Sequence, residues 1–93
     1  MTIITTVFVS KFAEKQIRKL PISIKESLRY WVESVQLHGI RYVRTLPGYH
    51  DEPLKGNRKG QRSVRLNRSY RAIYLETVDG IEITVIEVHK HDY

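Results

Sequence analysis

The chain has 93 residues, a length that supports one domain over residues 1–93 with a single modest core and excludes a second domain. Sixteen Lys and Arg against ten Asp and Glu give a formal charge of +6, which favours an anionic partner such as nucleic acid or a membrane surface. The absence of cysteine excludes a disulfide framework and a thiolate metal site. Neither a signal peptide nor an apolar run of about 20 residues is present, so we expect a soluble cytoplasmic protein with no membrane partner.

The N-terminal half of the chain predicts one strand followed by two helices. The β-branched stretch IITTVFVS indicates the strand. Ser10 suits a helix N-cap, and KFAEKQIRKL has apolar residues at helical spacing until Pro21. SIKE has the form of a capping box in which Ser23 caps and Glu26 reaches back, and a longer helix then extends to Gly39. Two consecutive helices suggest a helical hairpin.

From Ile40 onward the sequence has the pattern of strands and turns. The segment RYVRTLPGYHDEPLKGNRKGQ predicts a connection with one short strand around EPLK. RSVRLN and YRAIYLET indicate two strands with a tight turn at residues 67–69. Asp79-Gly80 is typical of a type I′ hairpin turn, which needs positive φ at both central residues. IEITVIEVHKH predicts a last strand, apolar on both faces as in a central strand.

These elements predict an α+β fold in which the N-terminal strand and a two-helix hairpin pack on a small, mainly antiparallel twisted sheet. Side chains alternate along a strand, so His89, His91 and Tyr93 share one face if the last strand stays regular to its end.

A basic stretch covers residues 53–75, which contain no acidic residue. A surface of one sign over a loop and two strands points to phosphate binding. Val64 and Leu66 are expected to face the helices, which puts Arg65 on the open face of the sheet, where its guanidinium can pair with a phosphate. The facing of Arg71 stays open, because apolar residues flank it on both faces. The positive residues of this stretch are Lys55, Arg58, Lys59, Arg62, Arg65, Arg68 and Arg71.

Cleavage of RNA without a metal needs a base for the 2′-hydroxyl, fixed positive charge for the phosphate and an acid for the departing 5′-oxygen. Histidine serves as base or acid near neutral pH, and the carboxylate of Glu52 is a further candidate base. Tyr93 can stack on a nucleobase or hydrogen-bond the phosphate. His89 and His91 also form an H-x-H pair that can chelate a metal ion, with His50 or Asp51 as third ligand. We expect the metal-free chemistry, with no cofactor.

The element order, the stretch LKGNRKGQRSVRLNRSYRAIY and the terminal HKHDY resemble the RelE/ParE toxin superfamily of bacterial toxin-antitoxin systems over nearly the whole chain. The resemblance implies the RelE-like microbial RNase fold. It also implies a ribosome-dependent, metal-independent endoribonuclease that cleaves mRNA in the ribosomal A site by 2′-hydroxyl attack on the adjacent phosphate. The implied partners are the ribosome, mRNA and a cognate antitoxin wrapped across the sheet.

The resemblance also implies residue roles. Arg65 and Arg71 match the phosphate-stabilising arginines, Lys55 matches a basic residue near the active groove, and Glu52 matches the general base of the YoeB branch. That branch ends in a histidine followed directly by tyrosine, whereas Asp92 intervenes here, so both histidines of the tail remain candidates. The predicted catalytic residues are Glu52, Arg65, Arg71, His89, His91 and Tyr93, and the predicted RNA-binding residues are Lys55, Arg58, Lys59, Arg62 and Arg68.

Two alternatives belong to other functional classes. A ParE-like toxin binds and poisons DNA gyrase without nuclease activity, and a non-catalytic RNA-binding module cuts nothing. The terminal His and Tyr residues together with Arg65 and Arg71 favour the nuclease. Cleavage of translated mRNA discriminates among the three.

Overall fold

The structure is a computed structural model that describes residues 5–88, in which helices pack on a five-stranded mixed sheet. The strand order is β1-β5-β4-β3-β2; β1 pairs with β5 in parallel and the other pairs are antiparallel. The predicted α+β class is therefore confirmed. The strands are β1 Val7–Val9, β2 Glu52–Pro53, β3 Gln61–Arg65, β4 Tyr70–Thr77 and β5 Gly80–Val88, and the helices are α1 Lys11–Arg18, α2 Ile22–His38 and α3 Ile40–Val43.

Helix α1 is attached to the sheet through backbone atoms of β5. Ser10 caps the helix as predicted, since its Oγ accepts a hydrogen bond from the Ala13 amide at 3.0 Å. The Gln16 side chain donates to the Ile86 carbonyl and accepts from the Ile86 amide, both at 2.8 Å. This two-way contact fixes the helix on the last strand.

Helix α2 begins earlier than predicted, and the capping box at Ser23 is wrong. Pro21 occupies the N-cap, and its carbonyl accepts from the amides of Ile24 and Lys25 at 3.0 Å, so the backbone alone starts the helix. The predicted end is confirmed, because Gly39 follows the last helical residue with φ 84°. Helix α3, whose Ile40 is buried in the core, was not predicted from the sequence pattern.

The core lies between the helices and one face of the sheet. Trp31 and Tyr74 are fully buried with ring centroids 5.1 Å apart. A bulge in β5 between its pairings with Ile73 and Tyr74 allows Ile83 and Ile86 both to face the helices, although residues three apart in a regular strand face opposite ways. Strand β5 lies between β1 and β4, as the prediction of an interior strand required.

The β4–β5 hairpin is present, but its turn is not the predicted type I′. Thr77 pairs with Gly80, so the connecting residues are Val78 and Asp79, and positive φ falls on Gly80 instead of Asp79. Gly80 has φ 151°, and a Cβ there would lie 2.1 Å from the carbonyl oxygen of Thr6. Glycine at this position therefore lets the chain before β1 approach β5.

We expect Gly80→Ala to lower the free energy of unfolding by about 2 kcal/mol or more, because the new methyl group meets backbone. Gly48→Ala is the matched control, since nothing lies within 4 Å of a Cβ there. Urea unfolding of both variants is the measurement. Equal stability of the two would contradict the close approach at Thr6.

Within residues 5–88, no helix combines the length and apolar character needed to cross a membrane.

Candidate active site

The strand register places two arginines side by side on the sheet. Arg65 of β3 pairs directly with Arg71 of β4, and Arg71 pairs with Glu87 of β5. Directly paired residues project to the same face, so the three side chains form a row across the sheet. Their neighbours Val64 and Ala72 are buried beneath the helices, so the row lies on the opposite face. The register thus decides the facing of Arg71 and confirms the expected facing of Val64.

Glu52 reaches the same face through β2. It pairs with Ser63, which is two residues before Arg65 on β3, and residues two apart on a strand share a face. The diagonal relation puts Glu52 and Arg65 about 7–8 Å apart at the backbone. Glu52 is exposed. The structure therefore brings a carboxylate and two guanidinium groups together on one surface, from three strands.

Part of this face is covered, in contrast to the open face that the sequence predicted. Ser63 and Ile73 project from it and are nonetheless buried. Arg58, in the connection between β2 and β3, forms an ion pair with Glu87 two strands away from β3. We conclude that the connection lies over the sheet and leaves Arg65 and Arg71 at the rim of the covered region. The pairing of Glu87 with Arg58 also reduces the negative charge available to Arg71.

Arg71 is half-buried, and its Nε is a buried donor with no acceptor among the described residues. Arg65 Nε donates to the Asn67 carbonyl at 3.3 Å. Like charges directly opposite in a ladder destabilise it, and an unpaired buried donor adds a further cost. An anion bound between the two guanidinium groups offsets their repulsion and supplies an acceptor for the unpaired donor, because phosphate oxygens accept charge-assisted hydrogen bonds from guanidinium groups. The pair is suited to phosphate.

Arg62 is not brought to this surface. It pairs with Tyr74 in the ladder and so lies on the helix side of the sheet. Its Nε donates to Asp51 Oδ1 at 2.5 Å, and the Tyr74 hydroxyl donates to Asp51 Oδ2 at 2.5 Å. The Asp51 side chain is 1% exposed, and Arg44 Nε lies 4.0 Å from it. The position of Arg62 disagrees with the predicted RNA-binding role, because this arginine neutralises a buried carboxylate.

Burial of the Tyr74 hydroxyl, together with its hydrogen bond to Asp51, raises the pKa of Tyr74 above its usual value. The hydroxyl therefore stays a donor to the carboxylate across the physiological pH range. The sequence pattern indicates Asp51 only as a candidate metal ligand. Alternation along the chain implies that Asp51 and Glu52 point opposite ways, but no sequence signal shows which of them points inward.

The tight turn at residues 67–69 is confirmed, since Asn67 Oδ1 accepts from the amides of Ser69 and Tyr70 at 2.8 and 2.9 Å.

The remaining basic residues lie on the outside. Three exposed basic side chains form no ion pair with any acidic residue in the described part of the chain, and they are available to an anionic ligand: Lys55, Lys59 and Arg68.

His89, His91 and Tyr93 lie outside the described residues, and their predicted shared face is not described. The same holds for the H-x-H metal pair. Among residues 5–88, no group of three or more His, Asp or Glu side chains is placed to hold a metal ion.

A five-stranded mixed sheet with helices packed on one face places the chain in the class of proteins with the RelE-like microbial RNase fold. The chain is 35% identical over 80 residues to toxin HigB-1 of Vibrio cholerae serotype O1, covering 84% of this chain and 83% of that one. It therefore belongs to the RelE/ParE superfamily of toxin-antitoxin toxins, as the sequence analysis predicted. No protein-family model matches the chain.

Solved structures show the same fold at low sequence identity. A chain of the archaeal RelE-RelB complex from Pyrococcus horikoshii has TM-score 0.74 and 18% identity, covering 96% of this chain and 99% of that chain. The YoeB dimer from Staphylococcus aureus has TM-score 0.72 and 19% identity, covering 94% and 99%.

Proposed function

We propose that this toxin is a ribosome-dependent endoribonuclease that cleaves mRNA and so inhibits translation. The observation that supports it most directly is the adjacent pair Arg65 and Arg71, which lies on the face away from the helices and includes a buried donor without a described acceptor. Positive charge held in this way favours a transition state in which negative charge builds on a phosphate. Dependence on the ribosome is part of this proposal because the chain resembles the RelE and YoeB branches of the superfamily, whose toxins cleave mRNA on the ribosome.

The proposed reaction is attack of a 2′-hydroxyl on the adjacent phosphorus. A base removes the hydroxyl proton, the bond from O2′ to phosphorus forms, and the bond from phosphorus to O5′ breaks. The leaving O5′ keeps the electron pair and takes a proton from an acid, which gives a 2′,3′-cyclic phosphate and a 5′-hydroxyl. Glu52, His89 and His91 are the candidates for base and acid. Both guanidinium groups stabilise the crowded phosphate, and no metal ion enters the reaction.

The exposed basic residues supply binding to the RNA backbone in this proposal. Lys55, Lys59 and Arg68 lie near the guanidinium pair in sequence and are free to contact phosphates. Arg58 already forms an ion pair with Glu87, so a phosphate would share this guanidinium with Glu87 or replace Glu87. Because the proposed substrate is mRNA on ribosomes, we place the activity in the cytoplasm.

We also infer a cognate antitoxin as the partner of this chain. Related folds are seen in the YoeB-YefM complex from Staphylococcus aureus and in the RelE-RelB complex. A basic surface around the guanidinium pair suits an acidic or amphipathic segment, which would block access of RNA to Arg65 and Arg71.

The test is cleavage of mRNA on ribosomes with an empty A site, compared with the same mRNA carrying one 2′-deoxynucleotide at the cleavage position. We expect cleavage with a 5′-hydroxyl product on the first mRNA and none on the second, because the nucleophile is missing. A chelator of zinc and manganese that leaves ribosomal magnesium in place should not change the rate. A 5′-phosphate product, or cleavage of the deoxy substrate, would count against 2′-hydroxyl attack.

A gyrase supercoiling assay with the same preparation separates the alternative function. Inhibition of gyrase without mRNA cleavage would place the chain with the ParE-like toxins. RNA binding without either activity would indicate a binding module.

A further inference from the structure

A cavity of about 380 Å³ opens beside Arg65, at the part of β3 that extends beyond its pairing with β2. Its walls include Tyr30 of α2, Leu46 and Tyr49 of the segment between α3 and β2, and Arg65 at the end of β3. The volume lies within the range of small-ligand sites. Arg65 is thus shared between this cavity and the guanidinium pair on the sheet.

The lining has the chemistry of a nucleotide site. Tyr30 is 66% exposed, and neither its ring nor that of Tyr49 stacks on another aromatic ring within residues 5–88. Flat aromatic rings hold nucleobases by stacking, and a guanidinium next to them binds the attached phosphate. A single nucleotide uses both features at once, with its base against the rings and its phosphate against the arginine.

The walls of the cavity are held by regular structure, which suits a site that must position its ligand. Tyr30 stands on the longest helix, and Tyr49 packs against the core. The Tyr49 amide donates to the Leu46 carbonyl at 3.2 Å, and the next residue, His50, has φ 45°. A residue other than glycine in this left-handed conformation indicates that the loop is closely defined.

We propose that this cavity is a nucleobase-binding subsite, which takes the base of an mRNA nucleotide next to the scissile phosphate while Arg65 contacts that phosphate. The inference rests on the proposed function and deepens it, since it adds a point of contact for the substrate outside the reacting atoms. Tyr30 and Tyr49 are the stacking residues. Holding the base on one side of the phosphate fixes the nucleotide for in-line attack.

The test is the affinity of the free toxin for a short single-stranded RNA and for a ribose-phosphate strand of equal length that lacks bases. Tyr30→Ala should weaken binding of the RNA by about tenfold or more, in keeping with the loss of one stacked base, and should leave binding of the baseless strand unchanged. Tyr30→Phe keeps the ring and should retain wild-type affinity. Tyr42→Ala removes another exposed tyrosine, outside the cavity, and should change neither affinity.

Several outcomes would overturn the subsite. One is an unchanged affinity of Tyr30→Ala for RNA, including the case in which this variant loses affinity for the antitoxin only. The others are an equal loss of affinity of Tyr30→Ala for the RNA and the baseless strand, and a wild type that binds no RNA. Thermal unfolding of each variant checks the fold. The two proposals can be contradicted separately. If the wild type binds RNA through Tyr30 but does not cleave mRNA, the nuclease proposal is wrong. If the wild type cleaves mRNA and Tyr30→Ala binds RNA with wild-type affinity, the subsite proposal is wrong.

Discussion

Arg71→Ala should lower the rate of mRNA cleavage by about 10²-fold or more, the cost of losing one oxyanion donor in enzymes. The fold should stay intact. Arg71 does not belong to the core that packs against the helices. Its Nε donates to no acceptor among the described residues, so the substitution breaks no described hydrogen bond of that atom. Removal of the like-charge contact with Arg65 should hold the melting temperature constant or raise it. Single-turnover cleavage on ribosomes and thermal unfolding together measure the two effects.

Two control variants sharpen this result. Arg68→Ala removes an exposed positive charge from the neighbouring turn and should reduce cleavage far less, because it affects only backbone binding. Arg71→Lys keeps the charge but loses the planar fork, so an intermediate rate is expected. Full cleavage by Arg71→Ala would show that the guanidinium pair does not stabilise the reacting phosphate.

Asp51→Ala should lower the free energy of unfolding by about 3–5 kcal/mol, the cost of breaking a buried ion pair by removing one partner. The substitution leaves Arg62 half-buried without its carboxylate and removes the acceptor of the Tyr74 hydroxyl. Asp51→Asn keeps an acceptor and should cost less. Trp31, the single tryptophan of the chain, packs on Tyr74 and provides the fluorescence signal for urea unfolding.

The adjacent carboxylate provides the control for this effect. Glu52→Ala should change the free energy of unfolding by roughly 0.5 kcal/mol or less, as expected for an exposed side chain, while it lowers cleavage if Glu52 is the base. The two neighbours should therefore separate stability from activity. A large loss of stability in Glu52→Ala, with Asp51→Ala unaffected, would reverse the assignment of the inward and outward residues.

Features that depend on local pattern could be predicted from the amino-acid sequence. Helical spacing and the cap at Ser10 identified α1, and the glycine at position 39 identified the end of α2. Strand alternation predicted the facing of Val64, and the apolar character of β5 predicted an interior position. The basic stretch and the family resemblance indicated a toxin with a phosphate-binding surface. Local spacing suffices here because helix and strand periods assign faces directly.

Contacts between residues distant in sequence came from the packing of the elements and from the strand register. Arg71 was ambiguous from its flanking residues, and its facing came from the register with Arg65. Of two adjacent carboxylates, Asp51 turns inward because Arg62 is there to neutralise it, and that also takes Arg62 off the predicted RNA surface. The cavity that joins Tyr30 to Arg65 has no local signal, because contact across separate elements depends on how the helices pack on the sheet, which periodicity does not encode.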